Sequence, residues 1–139
     1  MTVFKGSTEA YPALATDKLR YADCDPQGHV NNAVFSTFLE TGRTEMLYAG
    51  DEPIVDDGCG IVIARLELDY LAELTWPGHV EIGSRIAEIG RSSLKVVQEI
   101  FQDKAPKGRA CSVLVQVNLK TRKSQPFSER ARKRLTALK

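Results

Sequence analysis

One stretch of this chain carries the apolar spacing of a helix, and almost everything after it alternates. Val34, Phe35, Phe38, Leu39, Gly42, Met46 and Leu47 recur at steps of one, three and four. Helical residues turn by roughly 100° each, so these positions gather on one stripe. Ser36, Thr37, Glu40, Thr41, Arg43 and Thr44 fall largely on the other faces. Asn31 or Asn32 can cap the start by accepting from a free first-turn N–H. Gly50 offers a stop. The pattern predicts one helix of about 19 residues.

The period then changes to two. In Ile61–Leu71, Val62, Ala64, Leu66, Leu68 and Tyr70 alternate with Arg65, Glu67 and Asp69, as in a half-buried strand. Trp76-Pro77-Gly78 reads as a turn, and Val80, Ile82 and Ile86 continue a second strand to Ile89. Leu94–Gln102 is apolar on both faces. Cys111, Val113, Val115, Val117 and Leu119 alternate strictly. A short strand over Asp17–Ala22 precedes the helix, and a basic helix over Ser128–Leu138 ends the chain. Short links between successive strands favour an antiparallel meander. The expected architecture is α+β: a five-stranded antiparallel sheet with the long helix across one face.

With 139 residues the chain is expected to form a single domain spanning 1–139. Hydrophobic residues at 42% and charged residues at 27% disfavour disorder. No apolar run approaches the roughly 18–20 residues of a membrane span. The first residues lack a basic start followed by an apolar core, so a cytoplasmic address is expected. Cys24, Cys59 and Cys111 are odd in number and hold no CxxC pair, which reads as reduced thiols. A net charge of +1 gives no global reason to bind nucleic acid. Eight of the residues from Lys120 to Lys139 are basic and only Glu129 is acidic. That run is either a solvated face or an attraction for phosphate.

The chemistry concentrates between Arg20 and Asn32. Asp25 is a carboxylate in a turn, Gly28 permits close backbone approach, and a helix start follows with free N–H groups and a positive dipole end. A carbonyl placed there would be polarised, and the carboxylate could attack it or activate water. Taken alone, Asp25-Pro26 is an ordinary turn opening, His29 a hydrogen-bonded structural histidine, and Asn31 and Asn32 helix caps. Asp23, Asp25, Gln27 and Gly28 match the first positions of a calcium loop, but Val34 stands where its closing Glu belongs. Zinc lacks a close His/Cys set. A Cys24 nucleophile would point away from Asp23 and Asp25 with no second histidine nearby.

Tyr21-x-Asp-x-Asp25-x-x-Gly-His29-Val-Asn-Asn32, with Phe38-Leu-Glu40-x-x-Arg43-x-Glu-Met after it, resembles the hotdog-fold thioesterases of the 4-hydroxybenzoyl-CoA thioesterase type. Leu68-x-Tyr70-Leu before Pro77-Gly78, and Ile89-Gly-Arg-Ser-Ser-Leu94, follow in order. The resemblance runs from about Lys18 to Leu138. It implies a hotdog fold, coenzyme A thioesters as substrates, no metal and no cofactor. It also implies a homodimer joined edge to edge or a homotetramer, with sites between protomers. By position, Asp25 matches the catalytic carboxylate and the N–H near Asn32 the polarising group. His29 is counted with them as catalytic. Gly28, Arg91, Ser92 and Ser93 match substrate or coenzyme contacts. His29-Val-Asn-Asn32 departs from the benzoyl branch and favours a fatty acyl group over an aromatic one. Glu40 is a second candidate acid. The competing functions are an acyl-CoA hydratase or dehydratase, for which Asp25 and His29 have the wrong spacing, and a non-catalytic acyl-CoA-binding module.

Overall fold

The computed structural model describes residues 3–139. Five strands form one antiparallel sheet: β1 (Ala13–Lys18), β2 (Cys59–Tyr70), β3 (His79–Ile89), β4 (Ser93–Gln102) and β5 (Ala105–Asn118). The helix α1 (Asn32–Tyr48) lies between β1 and β2 in sequence, and α2 (Glu129–Thr136) closes the chain. The α+β class and the five-stranded sheet match the expectation.

The strand order does not. It is β1-β3-β4-β5-β2, so only β3, β4 and β5 form a meander. β2 leaves its sequence neighbour and pairs with β5 at the far edge, Cys59 opposite Asn118 and Tyr70 opposite Gly108. The segment 71–78 must therefore cross one end of the sheet, from the β2 edge to β3. Short links favour pairing of neighbours, but this eight-residue link is long enough to reach past two strands. The edge position also undoes the expected half-burial of β2: Val62 is 44% and Ile63 46% exposed.

The first strand is displaced as well. β1 runs Ala13–Lys18 and pairs with β3, Ala13 opposite Ser84 and Lys18 opposite His79. Tyr21 and Ala22, expected in that strand, instead join Asp23 in a single 3-10 turn. Ala13 and Ala15 carry little intrinsic strand preference, and the β3 edge supplies the pairing.

Asn31, not Asn32, caps α1, its Oδ1 accepting from Ala33 N at 2.9 Å. The helix has 17 residues and ends at Ala49, one before Gly50. It buries Phe35, Phe38, Leu39, Gly42, Arg43 and Leu47 against the sheet. Each large apolar side chain so buried contributes about 1.5–3 kcal/mol. Its threonines are poor helix formers by only about 0.7 kcal/mol or less apiece, so packing holds the helix. Gly42 sets the depth: a Cβ there would sit 2.7 Å from Ile82 Cγ2 and 2.8 Å from Gln98 Nε2.

The core has two halves on the helix side. Phe35, Phe38 and Leu39 pack with Val80, Ile82 and Ile100. Leu47 packs with Ile86, Leu94 and Leu114 and with Phe127, Ala131 and Leu135 from the C-terminal segment. Three arginines of the basic run also bind backbone carbonyls. Arg130 donates to the Pro53 and Ile54 carbonyls, Arg132 to Gly90 O at 2.8 Å, and Arg134 to Glu52 O. These bonds fasten α2 to the loops after α1 and β3. Among the described residues, no helix is long and apolar enough to cross a membrane.

Candidate active site

The turn between β1 and α1 is built by its own residues. Cys24 bridges Val30, and Asp25 N donates to His29 O at 2.8 Å. Gly28 N donates to Asp25 O at 3.0 Å, closing a tight turn with Pro26 at its second position. Gly28 has φ +84°, a conformation glycine adopts without a Cβ clash. Asp23, almost fully buried, accepts from Arg20 N and Arg20 Nη2 at 2.9 Å each. Its carbonyl accepts from Asn31 N at 2.8 Å and so aims the first turn of α1.

The crossing segment holds the turn from the other side. Val30 N donates to Leu74 O, and His29 bridges Thr75. Gln102 clamps Thr75 through both its amide atoms, at 3.0 and 2.8 Å. The displaced edge strand thus has a purpose: its long return path brings Leu71, Ala72 and Glu73 to the helix start.

Together these segments enclose a cleft of about 340 Å³, lined among others by Asp25, His29, Asn32, Phe35, Tyr70 and Glu73. Asp25 is half-buried in it. Its Oδ1 accepts from Gln27 N at 2.9 Å and His29 N at 3.2 Å. Its Oδ2 accepts from no group among the described residues. The bland and the chemical readings of Asp25 are therefore divided between its two oxygens. Asn32 N, at the first helical position, has no acceptor among the described residues. Ala33 and Val34 donate to Asn31, so the Asn32 N–H is the first-turn donor left open. Tyr70 Oη donates to Asn32 O at 3.4 Å, and its ring meets Phe35 edge-on at 5.0 Å. His29 Nε2 lies 3.1 Å from Glu73 Oε2. An open N–H, a carboxylate oxygen and an imidazole around one cleft suit attack on a carbonyl.

Glu73 escaped the sequence reading as a site residue. Glu73 sits in a segment with no period, and only the crossing path places it here. Gly28 lies in the turn itself, exposed beside Asp25. Arg91, Ser92 and Ser93 occupy the β3–β4 turn, where their carbonyls accept from Phe127 N, Gln116 N and Gly90 N. In one chain that turn lies at the opposite end of β3 from the cleft, about 30 Å away along the strand. Glu40 is exposed on α1, two turns from Asn32. No three His, Cys, Asp or Glu side chains gather as a metal-holding set among the described residues.

The model of the thioesterase-like superfamily matches residues 19–135, most of the chain. The chain belongs to the thioesterase-like superfamily. As a member it is a thioester hydrolase, and the match begins at Leu19 and so includes the turn and the cleft. Among solved structures, a thioesterase from Thermus thermophilus complexed with coenzyme A and zinc is 30% identical, with a TM-score of 0.78. That alignment covers 91% of this thioesterase and 98% of the other chain. The PA5185 protein of Pseudomonas aeruginosa is 25% identical over 96% of this chain and 95% of that one, with a TM-score of 0.84. The protein SAV2348 of Staphylococcus aureus, in complex with CoA, shares the fold at 13% identity and a TM-score of 0.77, over 88% and 80%. No curated protein sequence matches this thioesterase significantly.

Proposed function

We propose that the enzyme hydrolyses coenzyme A thioesters, fatty acyl rather than aromatic, in the cleft between Asp25 and Asn32. The thioester carbonyl oxygen accepts from the Asn32 N–H at the positive end of α1. Asp25 Oδ2 brings the nucleophile, either as itself or by taking a proton from water. Collapse of the tetrahedral intermediate breaks the C–S bond, and the electron pair leaves on sulfur. On the water route the proton removed returns to the sulfur, with His29 as its carrier. On the direct route an anhydride with Asp25 forms first and water then cleaves it. Either way one water is consumed, and a carboxylic acid and the coenzyme A thiol are released.

The observation that carries this reading is that Asp25 and Asn32 line one cleft, with Asp25 Oδ2 and the Asn32 N–H unbonded among the described residues. Support for coenzyme A comes from the Thermus relative, which was solved with it. A second copy of the chain is also proposed, as a homodimer or homotetramer. The exposed apolar edge at Val62 and Ile63 supports it, since bare edges of this kind invite pairing. Arg91, Ser92 and Ser93 then serve a neighbouring protomer's cleft, because their own lies at the far end of β3. The three unpaired cysteines support a reducing, cytoplasmic setting. The family match over 19–135 supports one domain.

Thiol release from a panel of short, long and aromatic acyl-CoAs tests the proposal. Release from fatty acyl-CoAs, lost in Asp25→Asn, is the expected result. Change in enoyl absorbance without thiol release would mean a hydratase, and binding with neither would mean a carrier.

A further inference from the structure

The segment 71–78 walls the Asp25 cleft with Leu71, Ala72 and Glu73, yet it belongs to no strand or helix. Of residues 71–77 only Leu74 is buried, so little packing fixes the path. Leu71 N and Ala72 N donate to Lys107 O at 2.9 and 3.2 Å, which ties the first end. Leu19 N donates to Gly78 O at 2.9 Å and ties the last. The middle depends on one peptide unit, Leu74–Thr75.

That peptide is held from both sides. Its carbonyl, Leu74 O, accepts from Val30 N at 3.2 Å, and its N–H, on Thr75, donates to Gln102 Oε1 at 3.0 Å. Gln102 Nε2 also donates to Thr75 O at 2.8 Å. Hydrogen bonds linked through one peptide polarise and strengthen one another. A short chain of bonds therefore runs from β4 into the turn that carries Asp25: Gln102, the Leu74–Thr75 peptide, Val30. His29 precedes Val30, forms an isolated bridge with Thr75 and meets Glu73 at 3.1 Å. His29 N in turn donates to Asp25 Oδ1 at 3.2 Å.

Gln102 is a firm anchor for this chain. It ends β4 opposite Ala105, across a two-residue turn of Asp103 and Lys104 with φ of 51° and 66°. Positive φ at both central residues suits the twist of the flanking strands, so the hairpin closes tightly. Gln102 is 6% exposed and commits both amide atoms to Thr75. A buried amide costs free energy unless it is bonded, so the side chain is held to this one arrangement. Thr75 does not need Gln102 for its own sake. It is exposed, and water would bond its N–H and carbonyl nearly as well. What water would not supply is a fixed position.

We infer that Gln102 is a positioning residue for the hydrolysis: through the Leu74–Thr75 peptide it holds His29 and Glu73 in place beside Asp25. The inference rests on the thioesterase reading and adds to it a residue that touches neither substrate nor reacting atoms. A misplacement of about 1 Å at a reacting group costs up to about a hundredfold in rate. Gln102 is one restraint among several on this wall, so its loss costs less than that.

Gln102→Met keeps the length of the side chain, suits a buried position and removes both bonds. With the fastest substrate of the acyl-CoA panel, it is expected to lower kcat for thiol release about tenfold while KM changes less than about twofold. Gln102→Glu keeps an acceptor for Thr75 N and loses the donor to Thr75 O, and its kcat should fall between. The deciding measurement repeats Gln102→Met in a Glu73→Gln background. There it should cost less than about twofold, because residues that act through one contact are not additive. Falls of equal size in both backgrounds overturn the inference, and so does an unchanged kcat in Gln102→Met, whatever its thermal midpoint. Were Gln102→Met not to fold, the same cycle with Gln102→Glu decides by the same criterion. Absence of thiol release by the wild type from every acyl-CoA would overturn the thioesterase reading itself, and this one with it. Release with an additive cycle overturns this one alone.

Discussion

His29 Nε2 stands 3.1 Å from Glu73 Oε2, and this contact joins the turn before α1 to the segment that crosses the end of the sheet. The pair is open to water, 40% and 65% exposed, and exposed pairs of this kind contribute little to stability. Its value is positional. Glu73→Gln is expected to leave the thermal midpoint nearly unchanged and to lower kcat. A calorimetric scan beside a thiol-release assay checks both. A large drop in midpoint with unchanged kcat would make the contact structural.

The divided roles of the Asp25 oxygens can be separated by mutation. Asn at this position keeps an acceptor for the Gln27 and His29 N–H groups but loses the charge. Asp25→Asn should therefore fold like the wild type and lose about three orders of magnitude or more in kcat. Asp25→Ala should lose the turn bonds as well, at an additional cost of about 1 kcal/mol. Denaturant midpoints and thiol release measure the two effects independently. Single turnover in heavy-oxygen water gives a one-way test of the routes: label in Asp25 means direct attack, because only an anhydride opened at the Asp25 carbonyl puts solvent oxygen there.

Gly42 is where α1 comes closest to the sheet. A Cβ there would press on Ile82 Cγ2 and Gln98 Nε2 below 3.0 Å. Despite the better helix propensity of alanine, Gly42→Ala is expected to destabilise by about 1–3 kcal/mol, because overpacking outweighs propensity. Urea unfolding gives the number. A neutral or stabilised variant would show that the helix can lift without cost.

Asp56 links the loop after α1 to the C-terminal segment. Burial works to raise its pKa, but bonds from Ser128, Gln116 and Arg130 outweigh it and hold the carboxyl below its ordinary value. Ser128 Oγ donates to it at 2.5 Å and Ser128 N at 2.9 Å. A depressed carboxylate adds stability that is complete above its unfolded pKa and is lost as the pH falls through its folded one. The loss thus belongs below the ordinary carboxylate value of 3.8. Asp56→Asn should flatten the acid limb of a plot of thermal midpoint against pH, leaving the shape near neutrality unchanged.

The site was legible where it depends on local chain chemistry. Asp25, Pro26 and Gly28 state a turn, Asn31 or Asn32 a cap, and the stripe from Val34 to Leu47 a helix. Each follows from backbone preferences within a few residues. The open N–H at Asn32 follows from the cap. Glu73 was not legible, because its place depends on a link whose path is set by strands far from it in sequence.

By itself, the sequence determined that one amphipathic helix would face alternating strands, and that a carboxylate-bearing turn would lead into it. These are short-range properties: helix period, strand period and turn chemistry are energies of neighbouring residues. Only the tertiary structure decided that β2 leaves β3 for the far edge beside β5. It alone decided that 71–78 crosses back to build the cleft, that Arg43 is buried against Gln98, and that Arg91–Ser93 end far from Asp25. Those outcomes depend on which edges a link can reach and on which surfaces are buried when distant elements meet, and no local pattern encodes either.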